Sequence, residues 1–440
     1  MVSPTPAETA RLSHSERVEL RKAVFSAFMG TVVEWYDFFL YGTAAALVFP
    51  HLFFPDSSPQ SGTMKSFATY AVGFVGRPIG SIVFGHLGDK LGRKVTLVWT
   101  LSLMGGATFL IGCLPSYATA GVFAPIMLVV LRFGQGLAIG GEWGGAALLA
   151  VEHGHKRSRG WYGSFAQIGV PFGMLLANAV FALMALGGDS FLLGWGWRLS
   201  FWFGIVLTII GLVIRKRVSE TPLFQKATRT GAVARNPLGE VLRTHWRKVL
   251  TVIGTRVAEN AGFFVFSVFA LSYADAHLPG MRNTVLYALL CGAALEGCVV
   301  PLLGALSDRW GRRAVLMAGN GLYTVGIFWF FWALDTRSPV LIWLAMLSMV
   351  GVVHSAMYAP QAAFFAELFP THLRYSGASL GYGLATPLAG GLAPLISTYL
   401  VDKGDGAPWL CAGYLAILGA ISFLTVAFAR ETHSKDISTE

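Results

Sequence analysis

Long apolar segments alternate with short polar turns along the whole chain of 440 residues. Each apolar run has about 20 residues, the length that an α-helix needs to cross roughly 30 Å of hydrocarbon. A transmembrane β-barrel would instead show short segments of alternating polarity. The pattern predicts an all-α membrane protein with twelve transmembrane helices, at about 23–49, 65–86, 94–114, 121–151, 161–186, 198–215, 249–274, 283–305, 314–334, 339–367, 375–400 and 409–429.

The one long polar stretch between these helices, 215–248, is basic and lies halfway along the chain. We interpret it as a linker between an N-terminal half of six helices at 23–214 and a C-terminal half at 249–429. Residues 1–22 and 430–440 are predicted to be polar tails. The first tail lacks the apolar core of a signal peptide, so helix 1 is expected to act as an uncleaved insertion signal.

Lys and Arg residues are distributed unevenly between the two ends of the helices. If the N-terminus is cytoplasmic, most of the 33 Lys and Arg residues fall on the cytoplasmic side, and the outer side holds Lys65, Arg198, Arg282, Arg337 and Lys403. Cytoplasmic turns are enriched in these residues. We therefore predict a multi-pass protein of the plasma (inner) membrane with both termini in the cytoplasm. Topology explains the net charge of +10, and no nucleic-acid partner is expected.

Hydrophobic residues make up 54% of the chain and charged residues 13%, which is too apolar for a soluble protein. The four cysteines lie in apolar segments without metal-ligand spacing, so neither a metal site nor a disulfide is predicted. No phosphate-binding loop or redox ligand set occurs, and we expect no cofactor. A membrane enzyme would need clustered nucleophiles or metal ligands, and a sensor would need an output domain longer than 215–248. We expect a monomer in the lipid bilayer.

Two polar turns share one sequence pattern. Residues 85–94 between helices 2 and 3 and residues 304–313 between helices 8 and 9 both read G-x-L-x-D-x-x-G-R-[KR]. A second repeated pair follows helices 4 and 10: Glu152 with Arg159, and Glu367 with Arg374. With these repeats the chain resembles the major facilitator superfamily from end to end. The resemblance implies two six-helix halves with a substrate site between them near the midplane.

Five shorter stretches narrow the resemblance: 34–38 (EWYDF), 77–78 (RP), 140–145 (GGEWGG), 220–222 (ETP) and 374–377 (RYSG). Together they resemble the metabolite:proton symporter family, which imports shikimate, α-ketoglutarate, citrate, proline and betaine with protons. The resemblance implies a secondary active transporter that imports a shikimate-like or other carboxylate metabolite by proton symport with alternating access. A proline/betaine-type osmolyte symporter is the alternative. A drug-efflux antiporter is less favoured, because Val170 precedes Pro171 where efflux members usually carry Gly-Pro.

Asp37, Arg77 and Arg132 lie at one depth in helices 1, 2 and 4, about 17–18 Å from the outer helix ends at 1.5 Å per residue. A charge at this depth costs at least a few kcal/mol and demands a partner or a function. We predict that Asp37 carries the proton and holds Arg132 until protonation releases it, with Glu34 as the rival carrier. Sugar-transporting members of the superfamily place an Asp and an Arg similarly. The alternative is a static buried ion pair.

Polar faces of several helices are predicted to line a substrate cavity. Helix 1 contributes Glu34, Asp37 and Tyr41, and helix 4 contributes Arg132, Gln135 and Glu142, by their helical spacing. Gln167 and Asn178 share a stripe of helix 5, where amides suit hydroxyl or carboxylate ligands but equally suit hydrogen bonds between helices.

The C-terminal half offers Arg256, Glu296, His354 and Tyr358 as candidates for the opposite wall. Arg256 is one turn from Glu259 and can simply pair with it. Arg77 favours a carboxylate substrate, because a planar guanidinium binds it through two hydrogen bonds.

The repeated turns are predicted to gate the cytoplasmic side. Asp89 and Arg93 belong to the first turn, and Asp89 is expected to meet the N-terminal dipole of helix 11 near Tyr375. Asp308 and Arg312 hold the equivalent positions in the second turn and are expected to matter less.

Overall fold

The computed structural model describes residues 14–230 and 236–435. Within these residues, twelve helices are long and apolar enough to cross a membrane, so the predicted all-α membrane architecture is confirmed. They are α1 His14–Leu47, α2 Ser61–Leu91, α3 Arg93–Cys113, α4 Phe123–His153, α5 Arg159–Ala185, α6 Asp189–Lys216, α7 Trp246–His277, α8 Arg282–Trp310, α9 Arg312–Asp335, α10 Pro339–Leu368, α11 Arg374–Lys403 and α12 Trp409–Phe428. The largest differences from prediction are at the starts of α1 and α6. Helix α1 begins well before residue 23, because hydropathy does not detect its polar first turns, and α6 begins at Asp189 rather than at residue 198.

The predicted linker contains two short amphipathic helices, Pro222–Arg229 and Pro237–Thr244, and residues 231–235 lie outside the described residues. Thr221 caps the first of them, since its hydroxyl accepts a backbone N–H at 3.4 Å. The preceding helix α6 continues to Lys216, so its last turn belongs to the N-terminal bundle rather than to the linker.

Four of the membrane helices contain a wider π-helical turn, at Leu192–Gly196, Val265–Phe269, Leu347–His354 and Thr386–Gly391. Such turns are uncommon and occur frequently at functional sites. Three of the four lie in the C-terminal half, in α7, α10 and α11. The turn in α10 ends at His354, so it sets the direction in which that side chain leaves the helix.

The two repeated turns have the same backbone geometry. Gly92 and Gly311 have φ angles of 107° and 97°, a region that only glycine adopts without strain. Glu220 caps the N-terminus of α3 at 3.1 Å, and Glu431 caps that of α9 at 3.0 Å. Burial raises the pKa of Glu431, but the hydrogen bonds that its carboxylate accepts from backbone N–H groups keep the pKa below its usual value. The predicted C-terminal tail is thus anchored, while residues 1–13 and 436–440 lie outside the described residues.

The halves meet mainly along two helix pairs, α2 with α11 and α5 with α8. Glycine permits the close approach of α5 and α8, because a Cβ at Gly304 would lie 2.6 Å from the carbonyl oxygen of Gly160. The two ends of the described chain, near Glu19 and at Lys435, lie on one side of the bundle, which we call the terminal face. Asp89 and Asp308 mark this face at the ends of α2 and α8.

Candidate functional site

Asp89, at the end of α2, contacts the N-terminus of α11. Its carboxylate accepts the backbone N–H groups of Tyr375 at 3.2 Å and Ser376 at 2.8 Å, and it lies 3.3 Å from the guanidinium of Arg93. Asp89 and Arg93 are fully buried. The contact that the sequence predicted is therefore present and joins the two halves. That it gates transport stays a prediction.

The second repeated turn makes the equivalent contact, from the C-terminal half to the N-terminal half. Asp308 accepts the backbone N–H groups of Gly160 at 2.8 Å and Trp161 at 2.9 Å, at the N-terminus of α5. Arg312 donates to Asp308 at 2.7 Å. The expectation that Asp308 matters less than Asp89 stays a prediction, since each carboxylate accepts two backbone hydrogen bonds.

The residues of the repeated Glu–Arg pairs, Glu152 with Arg159 and Glu367 with Arg374, form ion pairs next to these two contacts, each Glu with the Arg of the other pair. Glu152 accepts from Arg374 of the other half at 2.9 Å, and Glu367 lies 3.1 Å from Arg312 and 3.9 Å from Arg159 of the other half. We define the first terminal-face cluster as Asp89, Arg93, Glu152 and Arg374, and the second as Asp308, Arg312, Glu367 and Arg159. These buried charges close the site from the terminal face.

Asp37 is buried inside the N-terminal half. Its carboxylate accepts a hydrogen bond from the hydroxyl of Thr108 of α3 at 2.6 Å. The oxygen of that hydroxyl in turn accepts a hydrogen bond from the side-chain N–H of Gln135 at 2.8 Å. Arg132 donates to the carbonyl oxygen of the same amide at 3.1 Å. All four residues are described, and no ion pair joins Asp37 to Arg132. The expected direct ion pair between Asp37 and Arg132 is therefore corrected. The two residues are linked by hydrogen bonds through Thr108 and Gln135, so Gln135 belongs to this link and does not line the cavity.

Arg132 packs against aromatic rings instead of facing the cavity. Its guanidinium lies 4.3 Å from the ring centre of Tyr41 and 4.7 Å from that of Tyr70. The hydroxyl of Tyr41 hydrogen-bonds Thr69 of α2 at 2.7 Å, and Tyr41 is fully buried. The expectation that Tyr41 binds substrate is therefore corrected, because its ring and its hydroxyl both hold the N-terminal half together.

Glu142 is another correction. Its carboxylate forms a buried ion pair with Arg215 and accepts the hydroxyl of Thr100 at 2.7 Å. Arg215 also donates to the carbonyl oxygen of Leu97 at 2.6 Å. This network joins α3, α4 and α6 inside the N-terminal half. Glu142 is thus fully engaged in packing charges and does not face a substrate.

The side-chain amides of Gln167 and Asn178 in α5 form hydrogen bonds within the protein, which is the alternative to ligand binding that the sequence allowed. Gln167 accepts the indole N–H of Trp143 at 2.7 Å and donates to the carbonyl oxygen of Tyr358 at 3.1 Å, so it bridges the halves. Asn178 donates to Met174 of its own helix at 2.8 Å. Gln167 is thus engaged between the halves in this conformation, while substrate binding by Asn178 stays a prediction.

Arg77 lies in α2, which meets the C-terminal half, and it is 3% exposed. Its guanidinium packs over the rings of Phe38 at 4.8 Å and Phe74 at 5.4 Å. The Nη2 atom of Arg77 has no hydrogen-bond partner. Glu34 is the strongest opposite charge that acts on Arg77, and its Oε2 also lacks a hydrogen-bond partner. A buried guanidinium with an unused N–H group is the arrangement that a ligand carboxylate completes.

An aromatic layer spans the two halves above Arg77. Phe38 and Phe74 contact Phe264 with ring centres 5.9 and 5.5 Å apart, and Trp35 contacts Phe263 at 5.2 Å. Phe74 of α2 lies about one turn farther from the terminal face than Arg77, and Phe263 and Phe264 of α7 lie about one turn farther than Glu259, whereas Trp35 and Phe38 of α1 directly follow Glu34 and Asp37. The layer therefore closes the site on the side opposite the terminal-face clusters, and the site is occluded.

Arg256 lies within a stack that crosses the halves. Its guanidinium is 3.4 Å from the ring centre of Tyr382, and that ring lies parallel to Trp143 at 3.8 Å. Arg256 also donates to Glu259 at 2.9 Å, so the predicted pairing of these two residues is confirmed. The stack places a cation of α7 beside the contact between α4 and α11.

His354 lies between two carboxylates. Its Nδ1 is 2.7 Å from Oε1 of Glu296, and its Nε2 is 3.5 Å from Oε1 of Glu259. All three residues are buried. His354 and Glu296 line a small cavity between the halves. Tyr358, one turn from His354, is buried and packs on its ring.

A profile of the "Sugar (and other) transporter" family matches residues 22–244, and one of the "Major Facilitator Superfamily" matches residues 284–439. The inner membrane metabolite transport protein YhjE of Escherichia coli K12 is 41% identical over 94% of this chain and 95% of YhjE. The shikimate transporter of the same strain is 39% identical over 94% and 95% of the two chains. The chain belongs to the major facilitator superfamily. It is a multi-pass membrane transporter and not an enzyme.

A solved structure supports the fold of this transporter. The proton:xylose symporter XylE bound to 6-bromo-6-deoxy-D-glucose superposes with a TM-score of 0.78 over 96% of this chain and 98% of that chain, at 18% identity. A likeness at that identity shows the fold alone. In such folds the substrate binds between the halves, where Arg77, Arg256 and His354 lie.

Sequence reasoning missed several residues of this transporter's central site. The stacked pair Trp143 and Tyr382 gave no local signal, because they are far apart in sequence and aromatic residues are common in membrane helices. Helical spacing indicates Glu259 only as a partner of Arg256 and gives no sign of its approach to His354. The roles of Glu152 and Glu367 had a usable signal in their matching positions in the two halves.

Proposed function

We propose that this transporter imports a small carboxylate metabolite together with protons across the plasma (inner) membrane, as a monomer without a cofactor and with both termini in the cytoplasm. The observation that carries the proposal is Arg77. It is a buried guanidinium beside the contact of the halves, its Nη2 lacks a partner, and no other described element supplies one. The likeness to the shikimate transporter supports a shikimate-like carboxylate.

The energetics of Arg77 explain why a carboxylate fits. Burying a guanidinium costs several kcal/mol, and the faces of Phe38 and Phe74 offset only part of that cost. A carboxylate adds charge-assisted hydrogen bonds in the geometry that a guanidinium favours. The surrounding rings then contact the carbon skeleton of the metabolite.

Proton coupling follows from the number of buried negative charges. We propose Asp37 as the proton carrier, acting on Arg132 through Thr108 and Gln135. Protonation of Asp37 removes one buried negative charge, and the substrate carboxylate restores it, so the loaded transporter moves no extra charge through the occluded state. Glu34 remains the rival carrier, because its charge acts on Arg77 and its protonation would leave the substrate carboxylate as the counter-charge of Arg77.

Alternating access requires that the terminal face opens to release the substrate. We propose that the two terminal-face clusters hold it closed through Asp89 and Asp308, each bound to a helix N-terminus of the other half. The aromatic layer of Trp35, Phe38 and Phe74 with Phe263 and Phe264 would close the outer side.

An osmolyte of the betaine type is the second candidate, and the aromatic layer favours it. Trp35, Phe38 and Phe74 surround the site with ring faces that also attract a quaternary ammonium group. Glu34 would supply the negative charge. A carboxylate metabolite would contact the rings through its carbon skeleton, whereas a betaine would contact them through its quaternary ammonium group. Binding measured with ligands of both kinds therefore distinguishes the two candidates.

The test is ligand binding to the purified protein, measured by thermal shift with shikimate, α-ketoglutarate and glycine betaine. Arg77→Lys keeps the charge but loses the planar fork, and we expect its Kd for the bound carboxylate to rise about 10- to 100-fold, equal to about 1.5–3 kcal/mol. Arg282→Lys, at an exposed helix end, is the matched control and should bind like the wild type. Unchanged binding by Arg77→Lys, or a wild type that binds only glycine betaine, contradicts the proposal.

A further inference from the structure

We propose that Glu259, His354 and Glu296 form a second proton-binding site, in the C-terminal half, from which a proton leaves through the space beside Glu296. The inference rests on the proposed proton-coupled transport and adds a carrier to Asp37 and Glu34. It assigns a role to three ionisable side chains that the carboxylate site at Arg77 does not use.

The geometry is that of three ionisable side chains, which we call the relay, in contact across three helices, with one hydrogen bond, between His354 and Glu296, and one ion-pair contact, between His354 and Glu259. Glu259 lies in α7, Glu296 in α8 and His354 in α10. The imidazole is 2.7 Å from one carboxylate and 3.5 Å from the other, through its two different ring nitrogens. An imidazole between two carboxylates can accept a proton on one nitrogen and release it from the other.

The charges around the relay favour a bound proton. The other charged or titratable groups that face it are Arg256 of α7, Tyr323 of α9, Tyr358 of α10 and Tyr382 of α11. With one proton on His354, two carboxylates balance two cations. Without that proton the cluster holds one uncompensated negative charge, which a buried site tolerates poorly.

The exit route is the small cavity next to Glu296. Val170, Pro171 and Met174 of the N-terminal half form one wall of it, and Glu296 and His354 form part of the other. When the halves separate, this wall moves away and water reaches Glu296. His354 Nδ1–H then transfers its proton to Glu296 Oε1, which passes it to water; His354 becomes neutral and Glu296 returns to a carboxylate.

The relay also touches the centre of the transporter. Glu259 accepts from Arg256 at 2.9 Å, and Arg256 stacks on Tyr382 at the contact of the halves. Loss of the proton from His354 strengthens the pull of Glu259 on Arg256. The protonation state of the relay is thereby linked to the stack formed by Arg256, Tyr382 and Trp143.

The first test needs no substrate. Protein labelled with ¹⁵N-histidine is followed by NMR as pH is raised, and the His354 signal is assigned by its loss in His354→Asn. We expect an imidazolium at neutral pH in the wild type and a neutral ring in the double variant Glu259→Gln and Glu296→Gln. Glu240→Gln, an exposed carboxylate, should leave the His354 signal unchanged. A neutral His354 ring at neutral pH in the wild type overturns the proposal.

The second test is transport in liposomes with the carboxylate that the binding panel selects. Glu296→Gln should keep exchange of labelled for unlabelled substrate but lose at least about 10-fold in accumulation driven by a pH gradient, while Glu240→Gln keeps both. Wild-type accumulation by Glu296→Gln refutes the second site even if the proposed function is right. If the wild type shows no proton-driven uptake, the proposed function fails, and the NMR titration alone decides whether the relay holds a proton.

Discussion

Replacing Asp89 with Asn should open the terminal face without unfolding the protein. The carboxylate accepts two backbone N–H groups at the start of α11, from Tyr375 and Ser376. An asparagine has one acceptor oxygen and no charge, so one of these hydrogen bonds is lost and the other is weakened. Arg93 is not stranded, because it still donates to the carbonyl oxygen of Thr371 at 2.8 Å and lies 3.6 Å from Glu152.

The size of the effect follows from these contacts. A hydrogen bond to a charged group contributes about 1.5–3 kcal/mol and a neutral one about 0.5–1.5 kcal/mol. A carboxylate at a helix N-terminus in a partly buried position gains up to about 2 kcal/mol from the helix dipole. Because Asn retains one bond, we expect the closed form to lose about 2 kcal/mol, which is about a 30-fold shift toward the open form.

Hydrogen–deuterium exchange measures this shift at the bonds concerned. The amides of Tyr375 and Ser376 are protected by Asp89, so a peptide at the start of α11 should exchange about 30-fold faster in Asp89→Asn, following the population shift. Uptake should slow while the amount of folded protein stays the same. Lys90→Gln, an exposed neighbour in the same turn, is the control. Wild-type exchange and wild-type uptake in Asp89→Asn would refute the reasoning.

Two further predictions concern buried carboxylates of the N-terminal half. Glu142→Gln leaves the charge of Arg215 buried without its partner, so we expect a loss of about 3 kcal/mol in stability with an unchanged substrate Kd, measured by thermal unfolding and by binding; a raised Kd in a stable variant would restore Glu142 to the substrate site. Asp37→Asn should keep exchange of labelled for unlabelled substrate but lose uphill uptake driven by a pH gradient, and persistence of uphill uptake would shift the assignment to Glu34.

The helices and the terminal-face contacts could be predicted because their signals are local or repeated. Apolar runs fix where the chain crosses the membrane. The shared sequence of the two turns placed Asp89 and Asp308 in equivalent positions, and positive φ at Gly92 and Gly311 shows why both turns keep glycine. The helix dipole then made the start of α11 the natural partner for Asp89.

The interior of the site could not be predicted, because its partners are distant in sequence. Glu142 was expected in the cavity since its helical face also carries Arg132, but its partner Arg215 lies in the last turn of α6, where hydropathy had ended the helix. Helical spacing gives the face of a residue and not the helix that packs against it. The pairing of His354 with Glu296, 58 positions apart, depends in the same way on how α8 and α10 pack.

The most direct test of proton-coupled carboxylate import is accumulation by the wild-type protein in liposomes. Labelled shikimate, or the carboxylate that the binding panel selects, is added outside at acidic pH with an alkaline interior, and a pH-sensitive dye reports proton entry. The account predicts accumulation above the external concentration, alkalinisation outside when substrate is added, and loss of both with a protonophore. Substrate that only equilibrates across the membrane, or accumulation that survives the protonophore, would contradict it.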